Sequence, residues 1–174
     1  DFDPGEGTTS HRAEKARAFV SRYSEHGEFR WVRVFEAPYP ARVMTDREGS
    51  TYIGLGYPSD SWGVGGTDAC PDADGCGQIV KVDHDGNTLW TTAFCGAEAS
   101  NTIASAANGN IFVTGFTLGS VDFDPGPGRD LRQAEGGNEI LMSSLTPDGT
   151  IRWGGLITGP GYLDEAMDIT VGPE

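Results

Sequence analysis

The sequence predicts an all-β protein made of β-propeller blades, in which four-stranded antiparallel units repeat about every 60 residues. The first observation is that the apolar runs are short, rich in Val, Ile, Phe, Tyr and Trp, and separated by Gly, Asp and Pro. The second is the turn content, since 26 Gly and 10 Pro make up about a fifth of the 174 residues. The third is an internal repeat, which is typical of propellers because each blade is one copy of the same unit.

Four strands are predicted in the first unit, at about 18–23, 29–35, 41–46 and 51–56, with counterparts one period later. Segment 10–18 differs from these, because it is rich in helix-forming Ala, Glu, Lys and Arg. It predicts a helical turn within a loop.

The repeat is clearest in a hairpin whose turn glycine is followed four residues later by Trp. Its three copies carry Gly27 and Trp31, Gly86 and Trp90, and Gly149 and Trp153, with the glycines 59 and 63 residues apart. Recurring aromatic residues in repeats usually pack between blades, so these three are expected in the core rather than on a sugar-binding platform. Trp62 is out of register in a Gly-rich loop, which makes it the better candidate for an exposed binding aromatic, although a structural role is the expectation for it too.

The repeat divides the chain into three units, approximately 1–61, 62–121 and 122–174. Asp-Phe-Asp-Pro-Gly occurs at 1–5 and returns 121 residues later, whereas the middle unit lacks it and carries a cysteine-bearing acidic insertion at 67–77. A closed propeller has about 4 to 8 blades, and a lone wedge of three would leave apolar faces and strand edges exposed. The chain is therefore expected to be part of a larger propeller or assembly, with other blades or chains as partners.

The order of these motifs resembles that of bacterial β-propeller repeat proteins of the SBBP type. The resemblance is carried by Phe-Val-Ser-Arg-Tyr, Gly-Glu-Phe-Arg-Trp, Gly-Asn-Ile-Phe-Val-Thr-Gly-Phe and Val-Asp-Phe-Asp-Pro-Gly, and it is strongest over 107–153. The insertion and the basic segment 11–17 depart from it. Such proteins are secreted or surface-attached and mostly have no assigned activity, so the resemblance implies architecture and location rather than a reaction.

Two kinds of acidic motif are candidate calcium sites. In an extended Asp-Phe-Asp segment the two carboxylates share one side while the Phe points into packing. Beside a Pro-Gly turn such pairs could ligate Ca²⁺, which takes about 6 to 8 oxygens; the candidates are Asp1, Asp3, Asp122 and Asp124. The alternative is an ordinary turn in which Asp hydrogen-bonds nearby backbone.

The insertion supplies the second kind, with Asp68, Asp72 and Asp74 as candidate ligands. Its Asp-x-Asp-Gly is similar to the opening of calcium loops and to the Asp-rich repeats of thrombospondin type 3, although the twelfth-position Glu of an EF-hand is missing. The alternative is a solvated acidic loop. Segment 83–87 has a similar spacing, but it occupies the hairpin slot of the repeat, so a turn explains it without metal.

Three cysteines are present. Cys70 and Cys76 are close enough to close a small loop, so a disulfide between them is expected in an acidic secreted repeat protein. Cys95 is then a buried thiol, or else it pairs with one of the other two. Zinc is disfavoured because the three His show no ligand spacing relative to the cysteines.

The net charge of the chain limits the kinds of partner that are expected. The formal net charge is -14, which repels a phosphate backbone and an anionic membrane, so nucleic acid is not expected as a partner. No apolar run approaches the roughly 20 residues of a membrane helix, so no membrane insertion is expected, and the start of the chain has no signal-peptide pattern.

Two functions remain open. The first is an extracellular or cell-surface, non-catalytic structural or adhesive module, stiffened by Ca²⁺ and contacting a glycan or protein surface. The alternative is a glycan-active enzyme or glycan-binding propeller, with its site on a channel completed by missing blades. No Gly-x-Ser-x-Gly, His-Glu-x-x-His or phosphate-binding glycine loop is present, so no catalytic residue is predicted.

Overall fold

The computed structural model describes residues 1–12, 17–37, 39–57, 70, 75–97, 99–124, 128–159 and 163–172. Within these ranges the protein is all-β, with twelve strands and no helix, as the sequence predicts. The strands are β1 (Ala18–Tyr23), β2 (Phe29–Phe35), β3 (Tyr39–Thr45), β4 (Thr51–Tyr57), β5 (Cys76–Val82), β6 (Thr88–Cys95), β7 (Ala99–Ser105), β8 (Ile111–Thr117), β9 (Ser120–Asp122), β10 (Leu131–Gln133), β11 (Glu139–Leu145) and β12 (Ile151–Ile157).

Two predicted features fall largely on residues that the structure does not describe. The helical turn at 10–18 is one of them, because 13–16 lie outside the described ranges, and β1 already begins at residue 18. The insertion at 67–77 is the other, since only residues 70 and 75–77 of it are described.

The strands form three antiparallel sheets, which we call sheets I, II and III. Sheet I is β1-β2, sheet II has the order β10-β9-β6-β5-β4-β3, and sheet III has the order β12-β11-β8-β7. In the part of the chain described, these sheets form neither a closed barrel nor a closed propeller.

The sheets are staggered against the sequence repeat. The four strands of the first unit do not form one sheet, which corrects the predicted grouping: β1 and β2 pair only with each other, while β3 and β4 continue into β5 and β6 of the next unit. Sheet III likewise joins β7 and β8 to β11 and β12. Hairpin patterns fix which neighbouring strands pair, but the joining of hairpins depends on tertiary packing. Backbone hydrogen bonds therefore tie each unit to the next.

Five hairpin turns share one backbone design. In each, the first residue donates its N–H to the carbonyl of the fifth, and the fourth residue, a Gly, donates to the carbonyl of the first. The glycines are Gly27, Gly49, Gly86, Gly109 and Gly149, with φ between 82° and 87°. A side chain there would be strained, because only Gly adopts this left-handed conformation without steric cost.

Two apolar cores hold the sheets together. One lies between sheets I and II, where Ala18 and Trp31 meet Ile53, Val80 and Val82. The other lies between sheets II and III and is larger; it includes Tyr52, Ile79, Phe94, Ile103, Ile111, Val113, Leu141 and Leu145. Alternate residues of β4 and β5 face opposite cores, so these two central strands of sheet II are buried on both faces.

Candidate functional site

A tryptophan of sheet I packs on the hairpin turn between β5 and β6 of sheet II. Trp31, on β2, is 9% exposed, and its Nε1 donates to the carbonyl of His84 at 2.9 Å. Its ring lies flat against Gly86, where an added Cβ would stand 2.8 Å from Trp31 Cδ2. Only glycine therefore leaves room for the indole at this turn.

The same contact recurs between sheets II and III. Trp90, on β6, donates from Nε1 to the carbonyl of Pro147 at 3.0 Å. A Cβ added at Gly149 would stand 2.7 Å from Trp90 Cδ2. The prediction that the register tryptophans pack between repeats is confirmed for both Trp31 and Trp90.

A second donor stands two residues after each tryptophan. Arg33 Nε donates to the carbonyl of Gly86, and Thr92 Oγ1 donates to the carbonyl of Gly149. Each turn is thus held by an indole over its glycine and a side-chain donor on that glycine's carbonyl. We call this set of interactions the Trp–turn contact.

The third register tryptophan is exposed. Trp153, on β12, is 44% exposed and contacts the Phe112 ring at a centroid distance of 6.2 Å. The prediction of core packing is therefore wrong for Trp153, because among the described residues no turn of another sheet lies over its ring. Trp62, the other candidate aromatic, lies outside the described residues.

A small polar cleft lies at the turn end of sheet II. It has a volume of about 270 Å³ and is lined by residues that include Asp46, Tyr52 and Lys81. Lys81 is 8% exposed, its Nζ lies 3.9 Å from Asp46 Oδ2, and the Tyr52 hydroxyl donates to the same oxygen at 3.1 Å. Burial, followed by this bond to Asp46, raises the pKa of Tyr52 above its ordinary value. The cluster is mutually satisfied, which is typical of a structural network rather than a poised nucleophile.

The two Asp-Phe-Asp loops have the same hydrogen bonds. Asp1 Oδ1 accepts from the N–H groups of Asp3 and Thr9, at 3.1 and 2.9 Å. In the second motif, Asp122 Oδ1 accepts from the N–H groups of Asp124 and Asp130, each at 3.0 Å. The first aspartate of each motif thus closes a nine-residue loop onto its own backbone.

The second aspartate of each motif folds over a glycine that the sequence analysis did not single out. A Cβ added at Gly7 would lie 2.3 Å from Asp3 Oδ2, and one added at Gly128 would lie 2.1 Å from Asp124 Oδ2. Asp3 Oδ1 also accepts from the Gly5 N–H at 2.8 Å. The motif is therefore Asp-Phe-Asp-Pro-Gly-x-Gly, and its second glycine recurs at the same offset in the printed sequence.

The phenylalanines of the two loops attach them to different sheets. Phe2 packs on Phe19 of β1 at 4.8 Å, whereas Phe123 is 4% exposed and packs on Phe94 of β6 at 6.3 Å. Phe123 also covers Gly154 of β12, where an added Cβ would collide with its ring. The first loop is therefore packed on sheet I, and the second loop is packed on sheets II and III.

The donor sets of these loops match ordinary turns more closely than a metal shell. In each motif the first aspartate already has one oxygen engaged by backbone N–H groups, and Asp3 does as well. Among the described residues, no three His, Cys, Asp or Glu side chains are grouped as a metal site would require. Asp68, Asp72 and Asp74 lie outside the described residues. Calcium binding stays a prediction.

The cysteine pairing differs from the expected one. Cys70 forms its disulfide with Cys95, at a Cα separation of 5.3 Å, and not with Cys76. Cys76 is the first residue of β5, a strand whose residues are all buried, and its thiol lies 3.7 Å from the carbonyl of Gly77. Cys95 is the last residue of β6 and lies between Cys76 of β5 and Asp122 of β9. The Cys70–Cys95 disulfide is one of the pairings that the sequence left open.

Comparison with known proteins finds no relative of this chain. The chain matches no known family model and no curated protein. The resemblance to SBBP-type repeats therefore stays a prediction.

Proposed function

We propose that this chain is a non-catalytic structural segment of a β-propeller, acting as a scaffold or adhesive surface outside the cell. The observation that carries the proposal is the Trp–turn contact, which occurs twice and stacks three sheets in series. In a repeat architecture, stability comes from such interfaces between neighbouring units.

The packing of the sheets supports a propeller arrangement in particular. β3 and β7 are edge strands of sheets II and III, and they lie side by side. Each sheet faces the next across its own apolar core. Sheets that face one another with their edge strands side by side, as β3 and β7 are, are typical of blades around a central axis, and sheet III has the four strands of a single blade.

Two properties support a location outside the cell. A disulfide joins Cys70 to Cys95, and disulfides persist mainly in oxidising compartments. The net charge of -14 keeps such a surface soluble and favours divalent cations over nucleic acid. In the part of the chain that the structure describes, no helix has the length and apolar character needed to cross a membrane.

Thermal melting of the disulfide-intact protein tests the proposal. A scaffold is expected to melt at the same temperature with and without a panel of soluble plant, bacterial and animal polysaccharides, and to release no reducing sugar from them. A glycan that stabilised the protein by several degrees, or any turnover, would contradict the non-catalytic scaffold and favour the glycan-active alternative.

The same melt tests calcium. Chelator-treated protein is melted with and without millimolar Ca²⁺, with Mg²⁺ as the control cation. A site that binds only the folded state, at 100 times its dissociation constant, adds roughly 2.7 kcal/mol and raises the midpoint by several degrees. An unchanged midpoint would mean that the aspartate motifs are ordinary turns.

A further inference from the structure

The three cysteines are grouped at the end of the β5–β6 hairpin that lies away from its turn. Cys95 forms the disulfide with Cys70, and the residue directly opposite Cys95 in the strand register is Cys76. Gly96 donates its N–H to the carbonyl of Gly75 at 3.0 Å, so backbone hydrogen bonds flank the Cys76–Cys95 pair instead of joining it. In such a pair both side chains lie on one face of the sheet, with Cα atoms about 4.5 Å apart. The thiol of Cys76 therefore lies beside a sulfur that is already in a disulfide.

We infer that this disulfide exchanges within the chain, because the Cys76 thiolate can attack Cys95 Sγ and release Cys70. Cys76 gives up its thiol proton, and the electron pair on its sulfur forms the Cys76–Cys95 bond. The Cys70–Cys95 bond breaks with its electron pair on Cys70 Sγ, which takes up a proton. One disulfide and one thiol are present before and after, so no external oxidant or reductant is needed. The inference goes beyond the proposed scaffold function and does not depend on it.

The product has a geometry that a disulfide accepts. Disulfides span Cα separations of about 4.4 to 6.8 Å, a range that includes the roughly 4.5 Å of a flanked cross-strand pair. The two bonds also close loops of similar length, with sequence separations of 25 for Cys70–Cys95 and 19 for Cys76–Cys95. Loop-closure entropy depends on the logarithm of the loop length, so it favours neither pairing strongly.

The surroundings of Cys76 suit an attacking sulfur. Cys76 is fully buried, and the amide of Gln78, on the same face of β5, donates to its sulfur at 3.8 Å. A donor to the sulfur stabilises the thiolate, which is the form that attacks a disulfide. The titratable groups opposite the two cysteines are Tyr57 of β4, beside Cys76, and Asp122 of β9, beside Cys95. Burial, followed by the charge of Cys76, raises the pKa of Tyr57, so this phenol is neutral at neutral pH.

Exchange changes which parts of the chain the disulfide joins. In the Cys70–Cys95 form, the bond joins the acidic insertion to β6. In the Cys76–Cys95 form, it joins β5 to β6, which are already hydrogen-bonded neighbours, and the thiol is on Cys70. The insertion also carries the predicted calcium ligands Asp68, Asp72 and Asp74. The covalent attachment of this segment to β6 is therefore reversible without any change in the number of disulfides.

Peptide mapping after thiol trapping tests the inference. Wild-type protein is held at pH 8.5 without reductant, and samples taken over time are quenched with a maleimide in urea at pH 5. Cleavage before aspartate then separates Cys70 from Cys76, because Asp72 and Asp74 lie between them. Since the two loops differ little in closure entropy, at least about one chain in ten is expected to reach the form with maleimide on Cys70 and a Cys76–Cys95 disulfide. The rate should be lower at pH 6.5, because less thiolate is present.

Two variants separate the geometry of the pair from the rate of exchange. Cys76→Ala is the matched control, and it is expected to keep the Cys70–Cys95 disulfide at every time and to incorporate no maleimide. Cys70→Ala keeps only the cross-strand pair and is expected to form the Cys76–Cys95 disulfide when treated with oxidised glutathione. Far-UV circular dichroism of both variants establishes that they are folded.

Maleimide found on Cys76 alone after prolonged incubation at pH 8.5 would overturn the inference. A Cys70–Cys76 disulfide would overturn it too, because the attack would then fall on Cys70 and not on the residue opposite. A folded Cys70→Ala protein that keeps two thiols with oxidised glutathione would show that the cross-strand pair cannot form the bond, which has the same consequence. None of these outcomes bears on the scaffold function, which the polysaccharide melt tests separately.

Discussion

The two internal Trp–turn contacts use the same backbone parts but different side chains beside them. Between sheets I and II the second donor is a long guanidinium, Arg33, whereas between sheets II and III it is the short hydroxyl of Thr92. Both reach the carbonyl of the turn glycine. The difference teaches that the indole, the glycine and the turn define the contact, while the second donor only has to offer one hydrogen.

The largest effect is expected from removing the tryptophans. Trp31→Ala should lower the free energy of unfolding by about 3 to 5 kcal/mol, the range for a buried aromatic residue cut back to Ala. Trp90→Ala should cost less, because Trp90 is only partly buried. Urea unfolding of dilute protein measures both, with the exposed Trp153→Ala as control. If Trp153→Ala cost as much as Trp31→Ala, the distinction between inner and outer tryptophans would be lost.

The disulfide distinguishes the second contact from the first. Cys95 ends β6, the strand that carries Trp90, so the disulfide to Cys70 is attached to the donor strand of the second contact, whereas the donor strand of the first contact, β2, carries no cysteine. Replacing both cysteines with Ala should cost roughly 3 to 4 kcal/mol, from the entropy of a loop of about 25 residues in the unfolded chain. A thiol reductant should lower the melting temperature of the wild type and leave the double variant unchanged. Equal sensitivity of the two proteins would contradict the Cys70–Cys95 pairing.

A glycine pair isolates the contribution of the indole at one contact. Gly86→Ala and Gly49→Ala each force a side chain into the left-handed conformation, at a cost of about 1 to 2 kcal/mol. Gly86→Ala must also displace Trp31, which stands 2.8 Å from the new Cβ, so it should destabilise the protein more than Gly49→Ala. The difference in free energy of unfolding is the measurement. Equal values would show that the ring moves aside without loss.

The smallest effect is expected from acid, which acts on an aspartate in each of the two receiving turns. Asp83 begins the turn under Trp31, and bonds from the backbone N–H of Asn87, followed by its side chain, lower the pKa of Asp83 below its ordinary value. Thr146 holds the equivalent place under Trp90, and its hydroxyl donates to Asp148 of the same turn, which lowers the pKa of that carboxyl as well. A lowered pKa in the folded state means that the stability is present above the ordinary Asp pKa, near 4, and is lost as the pH falls below it.

Unfolding measured at pH 6 and at pH 3 tests this effect. The loss of stability between the two should be smaller in Asp83→Asn than in wild type, because the amide keeps an oxygen for the turn but does not titrate. Asp85→Asn, on the same turn, is the control for removing one charge. The interpretation fails if both variants lose the same amount as the wild type.

The sequence was sufficient for local structure. The strands predicted at 18–23 and 29–35 are confirmed to the residue, and those at 41–46 and 51–56 lie within a few residues of β3 and β4. Period-two alternation and turn glycines determine hairpins locally, which explains this agreement. The contacts of Trp31 and Trp90 followed from the same repeat.

Features that depend on distant parts of the chain were not predictable. The stagger of sheets against repeats and the pairing of Cys70 with Cys95 are set by which hairpins meet, and strand propensity does not encode that choice. The exposure of Trp153 is of the same kind, because its spacing from the turn glycine is the same as for Trp31 and Trp90 and only what packs on the ring differs. Gly7 and Gly128 were detectable, since both stand two residues after Asp-Phe-Asp-Pro-Gly.

The stagger of sheets against repeats has a consequence for how such a protein can change length. Each unit ends with half of a sheet, and the next unit begins with the other half. Duplicating or deleting one whole period therefore rejoins two complementary halves, wherever within the repeat the genetic exchange occurs. Unequal recombination can thus alter the number of sheets without leaving a strand in the wrong register. Proteins of this architecture can therefore differ in their number of repeats.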